Sequence, residues 1–115
     1  MDGIILDDVK KVIGFVSDYT EFDKDLIIHI NSTLSVLTQR GVGPSSGFEI
    51  STGLEQWSDF VDDFRLLMIK SYVCLKVRLL FDSSTMTSYA INALNDQANE
   101  YEWRLQVASE DEINR

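Results

Sequence analysis

His29 is the only histidine in the chain and Cys74 the only cysteine, so chemistry resting on either would have to proceed without a second copy. No two imidazoles can share a metal, and none can assist another. Cys74 stands between Val73 and Leu75 in an apolar helical stretch. A thiol in such surroundings packs as a small hydrophobe and is a poor nucleophile. His29 falls beside an apolar stripe and reads as a surface or core-edge residue. Asp59, Asp62 and Asp63 put three carboxylates within about one helical turn. A hard cation would need more oxygens from a glycine-turned loop, and none follows. A solvated first turn, favoured by the helix dipole, is the plainer reading. Gly41 and Gly43 lack the third glycine, the strand and the helix of a dinucleotide fingerprint. Asn31-Ser32-Thr33 matches a glycosylation acceptor but falls mid-helix. No catalytic, cofactor-binding or metal site is expected.

What remains is a chain built to fold and to touch other proteins. Its 115 residues make one ordinary domain, and 44% hydrophobic content is enough for a real core. Ten basic against nineteen acidic residues leave a net charge of −9, which argues against gripping nucleic acid through clustered Lys and Arg. Such a surface suits DNA that slides past without sticking. A lone cysteine implies no oxidising compartment. The start, Met1-Asp2-Gly3, is acidic where a secretory signal is basic. The most apolar stretch, residues 66–81, is interrupted by Lys70, Lys76 and Arg78 and is too short to span a bilayer. A soluble, intracellular protein without a membrane partner is the expectation.

The elements follow from breakers and spacing. Pro44 is the only proline, and four of the six glycines lie within 41–53, so the rest is free to form long helices. The spacing predicts an all-α fold, a small bundle of about four helices with a long loop between the second and third. Helix one covers residues 6–16, with Leu6, Val9, Ile13 and Val16 on one face. Helix two covers 23–39, with Leu26, Ile30, Leu34 and Leu37 in register, and Gly41 stops it. The loop at 41–53 is expected to be flexible, either a plain connector or a binding element, with Phe48 and Ile50 embedded in polar surroundings. Helix three covers 55–81 and carries two stripes: Val61, Phe64, Met68, Tyr72, Leu75 and Leu79, and almost opposite them Leu66, Ile69, Val73, Val77 and Leu80. A helix apolar on two faces is either central or shared with a neighbour. Helix four covers 87–107 with a core stripe of Ala90, Leu94, Ala98, Tyr101 and Leu105, and pairs antiparallel with helix three across a short connection. Phe64, Met68, Leu75, Leu94 and Tyr101 are expected in the core, and 109–115 as a frayed polar tail.

Nine residues are the expected contacts to another subunit or partner: Phe48, Ile50, Leu66, Ile69, Val73, Val77, Tyr89, Trp103 and Val107. Trp103 leads them, because tryptophan is enriched at interface hot spots; packing on a neighbouring loop is the alternative.

Two stretches carry a resemblance to a known family. Asp63-Phe64-Arg65, through Ser71-Tyr72, to Arg78-Leu79-Leu80-Phe81-Asp82, and Ser88-Tyr89-Ala90-Ile91-Asn92-Ala93-Leu94-Asn95 into Glu100-Tyr101-Glu102-Trp103-Arg104-Leu105, resemble the gp6-like head–tail connector (adaptor) proteins of siphophages. The likeness spans nearly the whole chain, and Glu102-Trp103-Arg104-Leu105 is its most specific piece. Ser83-Ser84 stand where family members often carry proline, leaving Ser83, Ser84 or Thr85 to cap the last helix. The resemblance implies a non-enzymatic, cofactor-free subunit of a closed ring, usually a dodecamer, in the virion. Assembled in the host cytoplasm, the ring would dock under the portal protein, extend the DNA channel without binding DNA specifically, and offer a surface to a stopper or tail-completion protein. A small acidic helical module, inhibitor- or antitoxin-like, is the competing reading from the residues alone, and a small enzyme a third. Oligomeric mass separates the first two.

Overall fold

The first helix stops at the first glycine it reaches after starting. α1 (Ile5–Ile13) has Asp7 and Asp8 in its first turn and Lys10 and Lys11 in its last, matching the helix dipole. Gly14 then takes a left-handed conformation with φ of 107° and donates its N–H to the Lys10 carbonyl. The expected extension to Val16 therefore does not form, and Val16 is exposed. α2 (Asp23–Gln39) has the expected bounds, and Leu26, Ile30, Leu34 and Leu37 are fully buried. The connection between them is an aromatic clamp: Phe15 stacks on Phe22 at 5.6 Å, and Phe81 meets both edge-on. Lys10 is buried beside it, donating to the Ser17 carbonyl at 2.8 Å and pairing with Asp23 at 2.9 Å.

This computed structural model describes residues 3–113, with side-chain surroundings through Glu110. Among them no strand forms, only an isolated bridge between Ile4 and Gln56. The all-α expectation holds.

Helix three is where the sequence reading needs correction. Residues 55–81 are not one helix. A four-residue turn, α3 (Trp57–Phe60), is closed by a reciprocal cap between Gln56 and Asp59. Val61 is then extended, and α4 (Leu66–Asp82) begins after Asp63 accepts the Arg65 N–H at 2.9 Å. Both stripes contribute buried residues, Val61 and Leu79 among them. Ile69, Tyr72, Val73 and Val77 are buried, whereas Phe64, upstream of α4, is 70% exposed. Met68 and Leu75 are only half-buried, as are Leu94 and Tyr101. The five residues expected in the core thus line its edge or lie outside it.

α4 is the central helix, packed by α1, α2 and α5. A short 3-10 turn (Ser83–Thr85) leads to α5 (Ser88–Ile113). The pair is antiparallel: Tyr72 bonds Glu102 and Arg65 bonds Ser109, so seven residues backward on α4 match seven forward on α5. Nor is 109–113 a frayed tail. The helix continues, with Ser109 buried under the Arg65 guanidinium at 2.8 Å. Asn114 and Arg115, the end of the expected tail, lie outside the described residues.

The long loop closes the other side of the core. Val42 and Ile50 are buried with Trp57 and Phe60 from α3. Gly43 sits at φ of 89° against the Phe60 ring, where an added Cβ would collide with ring carbons.

Candidate functional site: an apolar groove and an exposed tryptophan

The central helix leaves one face uncovered. Ser71 on α4 lies at the junction of three adjoining cavities of about 280, 290 and 310 Å³. Val12 of α1 walls this groove on one side, and Leu94, Gln97 and Tyr101 of α5 on the other, with Cys74 and Leu75 in the floor. It continues to Phe64, Leu67 and Met68, and Leu67 is 78% exposed. Lys11, Lys70 and Arg78 also line it, three of the ten cations in a strongly acidic chain. The result is a largely apolar groove whose rim carries these three cations and the Asp8 carboxylate.

The nine contact residues expected from sequence divide sharply. Ile69, Val73 and Val77 have no exposed surface and Ile50 almost none, so all four belong to the subunit's own core and have nothing to offer a neighbour. The central position of α4 explains the error: packed by α1, α2 and α5, it covers this stripe inside the subunit. Leu66 and Phe48 are half-buried, Phe48 packing against Phe60 at 5.5 Å between ring centroids. Tyr89 and Trp103 are the exposed pair, at 85% and 64%, and Val107 is half-buried. Tyr89 and Trp103 share a face of α5, yet fourteen residues separate them by about 21 Å of helix axis. They do not form one patch.

Glu102 fixes which way Trp103 points. Its carboxylate is buried, accepts the Tyr72 hydroxyl at 2.7 Å and pairs with the Arg40 guanidinium at 3.0 Å. Arg40, ending α2, also donates to Gln106 at 2.8 Å. Burial, then the bond to Glu102, pushes the Tyr72 phenol above its ordinary range. Adjacent residues on a helix lie about 100° apart, so holding Glu102 inward turns Trp103 out. Sequence reasoning missed this network, although Glu102, Tyr72 and Arg40 all sit on or beside apolar stripes where an unpaired charge would be costly.

The remaining candidates have local roles. Asp59 caps α3 and Asp63 holds Arg65, which keeps the Asp63 carboxyl below its usual range. Cys74 is half-buried in the groove floor, where burial, with Asp8 adding, pushes its thiol to about 11. Little thiolate exists at neutral pH. His29 is half-buried on α2. Among the described residues no three His, Cys, Asp or Glu side chains converge on a metal-sized site, and no helix is long and apolar enough to cross a membrane.

The loop is anchored rather than free. Asn31 clamps Ile50 in both directions, at 2.9 and 2.7 Å. Glu55 accepts backbone N–H groups from Ser51, Thr52 and Gly53 at 2.8 to 3.2 Å. Burial opposes ionisation of Glu55, but these donors outweigh it and hold the carboxyl at about 2, against an ordinary 4.5. A depressed carboxyl contributes stability that is fully present above about pH 4.5 and lost as pH falls through about 2. Glu55→Gln is therefore expected to lower stability in urea at pH 6, with the gap from wild type closing toward pH 2. A gap that stays constant across that range would remove the ionised carboxylate from the explanation.

The family model described as phage connector protein matches residues 5–112. No curated protein matches the chain, and no solved structure does.

Proposed function

Because the chain belongs to the phage connector protein family, we propose that it is a structural subunit of the junction between phage head and tail, one of twelve in a closed ring. The ring docks under the portal protein, carries the DNA channel onward and presents its far side to a stopper or tail-completion protein. The observation that carries this reading is the extent of the family match, from the first turn of α1 almost to the end of α5. A net charge of −9 supports it, since an acidic conduit lets a polyanion pass without holding it. The groove and Trp103 support it too, as surfaces a solitary subunit would leave unpartnered. A structural role in the virion needs no cofactor.

Mass photometry of the purified chain, alone and mixed with the portal from the same genome, tests the proposal. Ring-sized species are expected in at least one condition. A monomer or dimer in both would favour a small binding module instead.

A further inference from the structure

We propose that Trp103 of one subunit seats in the α1–α4–α5 groove of the next, and that this knob-in-groove contact is the repeating joint of the assembly; the inference rests on the ring reading above and assigns its interface. Tyr101 walls the groove, and Trp103, two residues on, projects about 200° away around the same helix. The socket and the knob therefore lie on opposite flanks of α5. When one patch meets a different patch, each subunit keeps one of each free for the next copy, and the chain of contacts closes into a ring or runs on as a filament.

Size and charge favour a second copy of this chain as the occupant. The cavity walled by Val12, Cys74, Leu75 and Tyr101 is one of the three along the groove and measures about 280 Å³, enough room for one large side chain. Lys11, Lys70 and Arg78 line the groove against one carboxylate, Asp8, which is already engaged by the Trp57 indole N–H. Trp103 is flanked on its own face by Asp96, Glu100 and Glu110, each within about 60° of it around α5, and Glu100 additionally holds Arg104 at 2.9 Å. A cationic socket and a knob ringed by carboxylates attract each other and repel their own kind, which sets direction as well as contact.

Complementary defects test the joint in the full chain. Trp103→Ala removes the knob and keeps the groove; Ser71→Trp blocks the groove and keeps the knob. Both positions are exposed, so helical content and melting temperature should match wild type. Each variant alone is expected to associate roughly thirtyfold more weakly, the change that an anchor worth about 2 kcal/mol gives. The decisive sample is their equimolar mixture. One intact knob and one intact groove should yield a two-subunit species and nothing larger.

Rings formed by either variant as readily as by wild type would overturn the joint while leaving the ring reading intact. Variants that form rings but no longer bind the portal would overturn it by giving the groove to the portal. Loss of cooperative melting in Trp103→Ala would overturn it by returning that residue to the core. A wild-type chain that stays monomeric, alone and with the portal, would remove the ring reading and this joint together.

Discussion

Trp57→Ala is expected to cost about 3–5 kcal/mol, the range for removing a buried aromatic side chain. That is a large part of the roughly 5–15 kcal/mol that holds a domain of this kind together. Trp57 has no exposed surface. Its indole N–H donates to Asp8 at 2.8 Å, and the Lys70 ammonium lies 5.9 Å from its ring centroid. The residue therefore pins the turn before α4 to both α1 and α4. Urea unfolding should show a lower midpoint with an unchanged slope. Trp57→Phe separates packing from polarity: it keeps most of the bulk but strands Asp8, and should cost about 1–3 kcal/mol. A loss below roughly 0.5 kcal/mol for Trp57→Ala, the range of ordinary surface substitutions, would mean that the loop and α3 do not close the core. The contrast with Trp103 is the point. Two tryptophans in one small chain take opposite roles, one holding the subunit together and one left facing out.

Where breakers and periodicity agreed, the sequence was a sufficient guide. Helix α2 was legible to the residue, because Leu26, Ile30, Leu34 and Leu37 keep one register and Gly41 ends it. The antiparallel α4–α5 pair was legible from its short connection. Two errors share one cause, the treatment of periodicity as continuous. Phe64 falls in register with Met68 and Tyr72 on paper, but Val61 is extended and the helix restarts at Leu66. The signal was present: Gln56 and Asp59 have the spacing of a capping box, and Asp62-Asp63 can cap a fresh start. Helix one overran for a similar reason, since Val16 keeps the period on paper but Gly14 stops the helix after Ile13. The loop was harder to read. Val42, Ile50, Trp57 and Phe60 enter the core without any common period, and a glycine-rich stretch gives no hint of that until the chain is seen to fold back. The groove was equally hidden, being formed by three helices whose mutual rotation no single stretch encodes.

Glu102→Leu should cost about 1–3 kcal/mol, the effect of stranding a buried donor, and should fall short of the roughly 3–5 kcal/mol for breaking a fully buried ion pair. The partners decide which range applies. Tyr72 is completely buried, so its hydroxyl loses its acceptor with no water to replace it. Arg40 keeps 41% of its side chain exposed and still donates to Gln106, so its charge is not left dry. Tyr72→Phe removes the donor instead and leaves the Glu102–Arg40 pair in place. The double variant should be nearer wild type than the two separate losses added together, because replacing both members of a buried bond by apolar groups leaves neither unsatisfied. Strict additivity would show that the 2.7 Å contact carries no coupling. The alkaline limb offers an independent check. Since the Tyr72 phenol is raised above its ordinary value of 10.0 in the fold, its contribution is fully present below about pH 10 and is lost progressively as pH rises beyond it. Tyr72→Phe should flatten that decline. Because the same bond holds Glu102 inward and so turns Trp103 outward, Glu102→Leu should also weaken self-association at temperatures where the variant is still folded, whereas Tyr72→Phe, which keeps Arg40 on Glu102, should weaken it less. Equal association by wild type and both variants would separate the buried network from the orientation of Trp103.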